Sequence, residues 1–88
     1  METDIIKVSA QSNAHLAAGA LANRIREQGE AEMQVIGAGA LNQGIKSIII
    51  ARGYLGPEGI DITCEPSFIE VTINGESRTA IRLIICKK

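Results

Sequence analysis

The sequence predicts an α/β protein, more narrowly an α+β two-layer sandwich with the element order β-α-β-α-β-β. Three observations predict it. Apolar and polar residues alternate at the two-residue period of a half-buried strand near Ile6, Met33, Val71 and Leu83. Two intervening segments carry the period of an amphipathic helix, each running into glycine. Asn74-Gly75 separates the last two strand-like runs, as in a hairpin. Two helices cover only one face of four strands, so a four-stranded mixed sheet is expected with both helices on one side and its other face open to solvent, a partner chain or a ligand. The parallel strands imply two right-handed crossovers.

The first strand is read at Ile5 to Ser9, where Ile6 and Val8 alternate with Lys7 and Ser9. Ser12 or Asn13 then accepts the free amides of a helix start, and the first helix runs from about Ala14 to Gln28 with a small buried face of Ala17, Ala20, Leu21 and Ile25. Gly29 ends it in the left-handed conformation. The second strand covers Glu32 to Ile36. After Gly37-Ala38-Gly39-Ala40, the recurrence of Leu41, Ile45, Ile48 and Ile49 predicts a second helix burying that stripe and ending at Arg52-Gly53. Gly56-Pro57-Glu58-Gly59 is a turn cluster, followed by strands at Ile60 to Ile73 and Ser77 to Cys86.

Placing Ile69, Val71 and Ile73 on one side with Ile81, Leu83 and Ile85 requires a three-residue loop with Gly75 left-handed, and sets Glu70 opposite Arg78. Ile60, Ile62 and Cys64 fall on the other parity, which predicts a bulge or break around Pro66. With no repeat or linker, residues 1–88 form one domain.

The chain of 88 residues holds one core, burying roughly 60 to 65 percent of the unfolded surface. The apolar residues, 45 % of the chain, are almost all aliphatic, with one Tyr, one Phe and no Trp. That excludes the stacking platforms of single-strand binders. A formal charge of −1 excludes a global positive field, so any polyanion site must be local. Met1-Glu2-Thr3-Asp4 is unlike a signal peptide, and the longest apolar run, Ile48 to Ala51, is far short of the roughly 18 residues that cross a bilayer. A soluble cytoplasmic protein without a membrane partner is expected. Cys64 and Cys86 lack metal or redox spacing and read as core thiols in a reducing compartment.

No catalytic kit is present. His15, the only histidine, has no nucleophile motif or second ligand nearby, and the carboxylates are scattered singly. An enzyme is not expected, and neither is a cofactor or metal. The glycine-rich turn before the second helix admits three readings: close strand-to-helix packing, a contact between its amides and a backbone phosphate, or nucleotide binding. It is not a dinucleotide fingerprint, because Asn42 stands where glycine is needed. Arg78 and Arg82 fall on the strand face opposite Ile81 and Leu83, hence on the open face or its hairpin arm. Lys46 and Arg52 share the second helix, and Lys7 lies beside the polar Gln11-Ser12-Asn13 turn. As a set these are the plausible phosphate contacts; singly, each also reads as a solvated charge.

Lys7-Val8-Ser9, Ala18-Gly19-Ala20, the run Ile36-Gly37-Ala38-Gly39-Ala40-Leu41-Asn42-Gln43, Ile50-Ala51-Arg52-Gly53-Tyr54 and Arg78-Thr79-Ala80-Ile81 together resemble the bacterial stage V sporulation protein S family, from about Ile5 to Ile85. The resemblance implies an Alba-like fold, a homodimer associated with nucleic acid, DNA or RNA, and a role in sporulation around septation and coat assembly, or in regulation. The Alba chromatin proteins carry lysines in the first strand-to-helix turn and Arg-Gly before the second helix. Here Gln11-Ser12-Asn13 and Gly37-Ala38-Gly39 stand instead, which argues against strong non-specific coating of duplexes. The candidate nucleic-acid-binding set is therefore Lys7, Ser9, Ser12, Asn13, Asn42, Gln43, Lys46, Arg78 and Arg82. The competing expectation is a protein-interaction module recruiting a division or coat protein, and a third is an anion or nucleotide site at the glycine turn.

Overall fold

The computed structural model describes residues 4–88; Met1, Glu2 and Thr3, read above as unlike a signal peptide, lie outside the described residues. The element order is β1 (Ile6–Val8), α1 (Ala14–Gln28), β2 (Glu30–Val35), α2 (Ala38–Leu55), a 3-10 turn (Gly56–Glu58), β3 (Ile62–Ile73) and β4 (Glu76–Lys87). The sheet order is β1-β2-β4-β3, with β1 and β2 parallel and the other two pairings antiparallel. This is the four-stranded mixed sheet with two helices on one face that the sequence predicts.

Local chemistry sets each boundary. Asn13 starts α1, its Oδ1 accepting from the amides of His15 at 2.9 Å and Leu16 at 3.1 Å, while Ser12 is engaged elsewhere. Gly29 ends α1 at φ 81°, donating to the Ile25 carbonyl at 2.9 Å. Leu21, Ile25, Met33, Val35, Leu55, Leu83 and Ile85 pack in the fully buried layer between helices and sheet. Burying each such side chain is worth about 1.5 to 3 kcal/mol. The core is aliphatic, and both aromatics lie outside it, with Phe68 79 % exposed and Tyr54 part-exposed.

The helices bury Leu21, Ile25 and Ile48 as the periodicity selects, but otherwise different residues. In α1 the buried positions are Ala18, Leu21, Ala22 and Ile25; Ala17 is half-buried and Ala20 exposed. In α2, which reaches two residues past Gly53 to Leu55, the inward line is Ala40, Gly44, Ser47, Ile48, Ala51 and Leu55. Ile45 and Ile49 face outward, Ile49 at 60 % exposure. Small residues make the inward line because the axis lies close to the sheet. A Cβ at Gly44 would stand 3.1 Å from Val35 Cγ1 and 3.2 Å from Met33 Sδ.

The hairpin corrects the expected register. Ile73 pairs with Glu76 across a two-residue turn, with Asn74 at φ 50° and Gly75 at φ 79°, both left-handed. Glu70 therefore lies opposite Thr79, and Val71 opposite Arg78. β3 and β4 pair without interruption from Ile62–Lys87 to Ile73–Glu76, so there is no bulge at Pro66. The change of apolar parity along β3 has another cause. Ile62 shares a side with Ile85 and the helices, but the helices pack on β1, β2 and β4, and beyond Ile62 leave β3 uncovered. Farther along, Ile69, Val71 and Ile73 turn their apolar side to the opposite, open face. Cys64 and Cys86 are both free and sit on opposite faces, since Cys64 pairs with Ile85 and Cys86 with Thr63.

Candidate functional site

The parallel pair β1 and β2 ends where both helices begin, and β4 runs back from the hairpin to pair with β2. One end of the molecule therefore gathers the hairpin, the turn from β1 to α1 and the first turns of both helices. The other end gathers both helix C-termini and the start of β3.

On the open face, register places Lys7 beside Gln34, Gln34 beside Arg82 and Arg82 beside Ser67, one row across all four strands. Arg78 stands on the same face, four residues nearer the tip. Toward the other end of this face the rows carry Glu32 and Glu65 flanking Ile84, then Glu30 beside Cys86. The open face is thus net basic toward the hairpin, where Glu76 at the tip is this face's one carboxylate in the β3–β4 rows from Arg82 outward, and acidic away from it.

The ion pairs gather at one end, where Lys87 alone of the strand and helix-end cations stays unpaired among the described residues. Among the described residues the ion pairs are Arg26–Glu58 at 2.6 Å, Lys88–Asp61 at 3.7 Å and Arg52–Asp61 at 3.9 Å, all at the far end. The Glu58 carboxyl is held below its ordinary range chiefly by hydrogen bonds from Arg26, whose own guanidinium is shifted up by the same bonds. Arg24 donates to the Asp4 carbonyl. Lys7, Lys46, Arg78, Arg82 and Lys87 make no ion pair among the described residues. Four of those five are predicted contact residues. Arg82 also holds its Nε buried with no hydrogen-bond partner among the described residues.

Arg78 lacks the expected partner because Glu70 is engaged on the other face. Its carboxylate accepts from Ser77 Oγ at 2.7 Å and Thr79 Oγ1 at 2.8 Å, and these bonds hold its pKa below the usual carboxylate value. Burial pushes the Cys64 thiol up, and the neighbouring Cys86 adds to the shift.

The predicted polar residues separate into two groups. Ser9, Ser12, Asn13 and Gln43 are committed to local structure: Ser12 Oγ accepts the Ser9 amide at 2.8 Å, Ser9 Oγ accepts the Gln11 amide at 3.3 Å, and Gln43 Nε2 reaches the Ser12 carbonyl at 2.8 Å. With the Asn13 cap, they fix the β1-to-α1 turn against α2. Asn42 and Lys46 are exposed, and Lys46 lines a shallow hollow with Asn13, His15 and Gln43 on the helix side, away from Lys7, Arg78 and Arg82. Gln34 is the site residue that sequence reasoning missed. Its place between Met33 and Val35 signals the open face, but only the register puts it between Lys7 and Arg82.

Chemically, this end offers guanidinium and ammonium donors with no ion-pair partner among the described residues, suited to binding an anion. Among the described residues no three His, Cys, Asp or Glu side chains gather as a metal site, and no helix is long and apolar enough to cross a membrane. The glycine turn proves to be part of α2. Gly37 precedes the helix at φ 91°, and Gly39 packs against Ala10.

The family model described as Stage V sporulation protein S (SpoVS) matches residues 4–88. Among solved structures the chain is similar to Alba from Thermoplasma volcanium, at a TM-score of 0.65 and 12 % sequence identity, covering 94 % of this chain and 99 % of that one. At that identity the likeness shows the fold, which is Alba-like.

Proposed function

The chain belongs to the stage V sporulation protein S family, and from that premise we propose that it is a non-catalytic, cytoplasmic nucleic-acid-binding regulator that acts as a homodimer in sporulation, septation and spore coat assembly or related gene regulation. One observation carries this reading: the cations at the hairpin end, Lys7, Arg78 and Arg82, stand without ion-pair partners among the described residues, while Arg26, Arg52 and Lys88 at the other end are paired. An unpaired cation meets a phosphate without first breaking a salt bridge. The exposed first turn of α2 at Ala38-Gly39 adds backbone amides at the same end.

A titration of labelled duplex DNA and of RNA, followed by fluorescence anisotropy at about 50 and 200 mM salt, tests it. Saturable binding that weakens steeply with salt, and is lost in an Arg78→Ala/Arg82→Ala variant, is expected. No binding of either nucleic acid at the lower salt overturns it. Light scattering tests the dimer, and a monomer at micromolar concentration removes that part.

A protein-assembly role is the second reading, favoured by apolar side chains left exposed among the described residues: Leu16 on α1, Ile45 and Ile49 on α2, and Phe68 on β3. It predicts salt-tolerant binding to a division or coat protein and none to nucleic acid.

A further inference from the structure

The open face is not flat. The long strands β3 and β4 extend beyond β2, and with the right-handed twist of the sheet their tip swings toward the edge strand β1. A cleft of about 580 Å³ lies between them, walled by Ile5 and Ile36 on one side and Val71 and Ile73 on the other, with Lys7 and Gln34 on its floor. Its volume falls within the roughly 300 to 1,000 Å³ of small-molecule sites, and its lining has their composition of apolar walls with a few convergent polar groups. Arg82, the cross-strand neighbour of Gln34, stands in the same row outside the cleft lining, with its buried Nε unpartnered among the described residues.

The geometry points to a binding site for an amphiphilic anion, an aliphatic chain ending in a single carboxylate or phosphate. The chain lies between the Ile5–Ile36 and Val71–Ile73 walls, and the head group sits at Lys7 beside Gln34. Aliphatic walls suit an aliphatic body, and Lys7, a cation with no ion-pair partner among the described residues, suits one anionic head. The parity change along β3 is what builds this wall, because it turns Val71 and Ile73 to the side where Lys7 and Arg82 stand. The inference does not depend on nucleic-acid binding, although the two would compete for Lys7.

Isotope-labelled protein titrated with decanoate below its micellar concentration, followed by amide chemical shifts, tests the site; decanol serves as the uncharged chain and acetate as the head alone. Saturable shifts confined to Ile5–Lys7, Gln34–Ile36 and Val71–Ile73 are expected, with decanol and acetate each at least about tenfold weaker. Lys7→Met, which keeps the chain and removes the charge, should weaken decanoate about tenfold with an unchanged spectrum elsewhere. Val71→Glu should abolish binding from the opposite wall. Equal affinity for decanoate and decanol, shifts centred on Phe68 or Ile49, or no saturation would overturn the assignment. Monomeric decanoate against anionic vesicles separates a free ligand from a lipid head group, and binding to vesicles alone would contradict a chain held in the cleft.

Discussion

Gly39, in the first turn of α2, lies so close to Ala10 that a Cβ built at position 39 would stand 2.9 Å from the Ala10 Cβ. This contact fixes the approach of α2 to the β1-to-α1 turn, and Gln43 donating to the Ser12 carbonyl fixes it again one turn later. Gly39→Ala gains about 1 kcal/mol of helix propensity but overpacks at a cost of about 1 to 3 kcal/mol. A net loss of about 1 kcal/mol in urea unfolding is expected, with recovery when Ala10 is also changed to Gly. A stable single variant would mean that the turn yields freely.

The Asn74-Gly75 turn needs both residues left-handed. Gly75→Ala should therefore destabilise the hairpin by about 1 to 2 kcal/mol, whereas Asn74→Gly should be nearly neutral. Amide exchange at Val71 and Arg78 reads this locally, and equal protection in the two variants would contradict the turn geometry.

Glu70 makes the hairpin sensitive to acid. Its folded pKa is depressed, first by the Ser77 hydroxyl and then by Thr79. Its contribution is therefore present above the unfolded pKa and is lost as pH falls through the folded value. A carboxyl-carbon titration of Glu70 should show a midpoint below the ordinary glutamate value, moving up in Ser77→Ala/Thr79→Val. A midpoint unmoved by that change would show that the hydroxyl bonds are not its cause.

Pro66 guards a free edge. The Lys88 amide donates to the Asp61 carbonyl at 2.8 Å, and that phase, carried along the unbroken register, turns the polar groups of Cys64, Pro66 and Phe68 away from β4 to the outer edge of the sheet. Proline removes the outward N–H from the middle of a 12-residue edge strand flanked by exposed Phe68. Pro66→Val should leave the fold intact and raise aggregation in light scattering. Unchanged solubility would place the protection in Glu65 and Glu70 instead.

The element order was legible because alternation, caps and the Asn-Gly turn are local. The hairpin register was not, because reading it required knowing how far the helix layer extends. Ile69, Val71 and Ile73 look like partners of Ile81, Leu83 and Ile85 only if one apolar face serves the whole strand. The helices stop short, so the tip packs on the other side. Ile45 and Ile49 misled for a related reason: α2 lies so near the sheet that Gly44 and Ser47 occupy the inward line and the larger side chains face out. Of the candidate site, the cations were legible from strand parity, but the hydrogen bonds that commit Ser9, Ser12, Asn13 and Gln43 depend on the folded turn.

The division between free and paired cations is most directly tested by the salt slope of nucleic-acid binding in two variants. Lys7→Ala/Arg78→Ala/Arg82→Ala removes the hairpin-end cations, and Arg52→Ala/Lys88→Ala removes paired cations at the other end. The account predicts that the slope of log K against log salt falls by about 0.9 for each duplex phosphate that is no longer neutralised, hence by nearly three in the first variant, and stays unchanged in the second. Equal slopes in the two variants, or a larger change in the second, would contradict it.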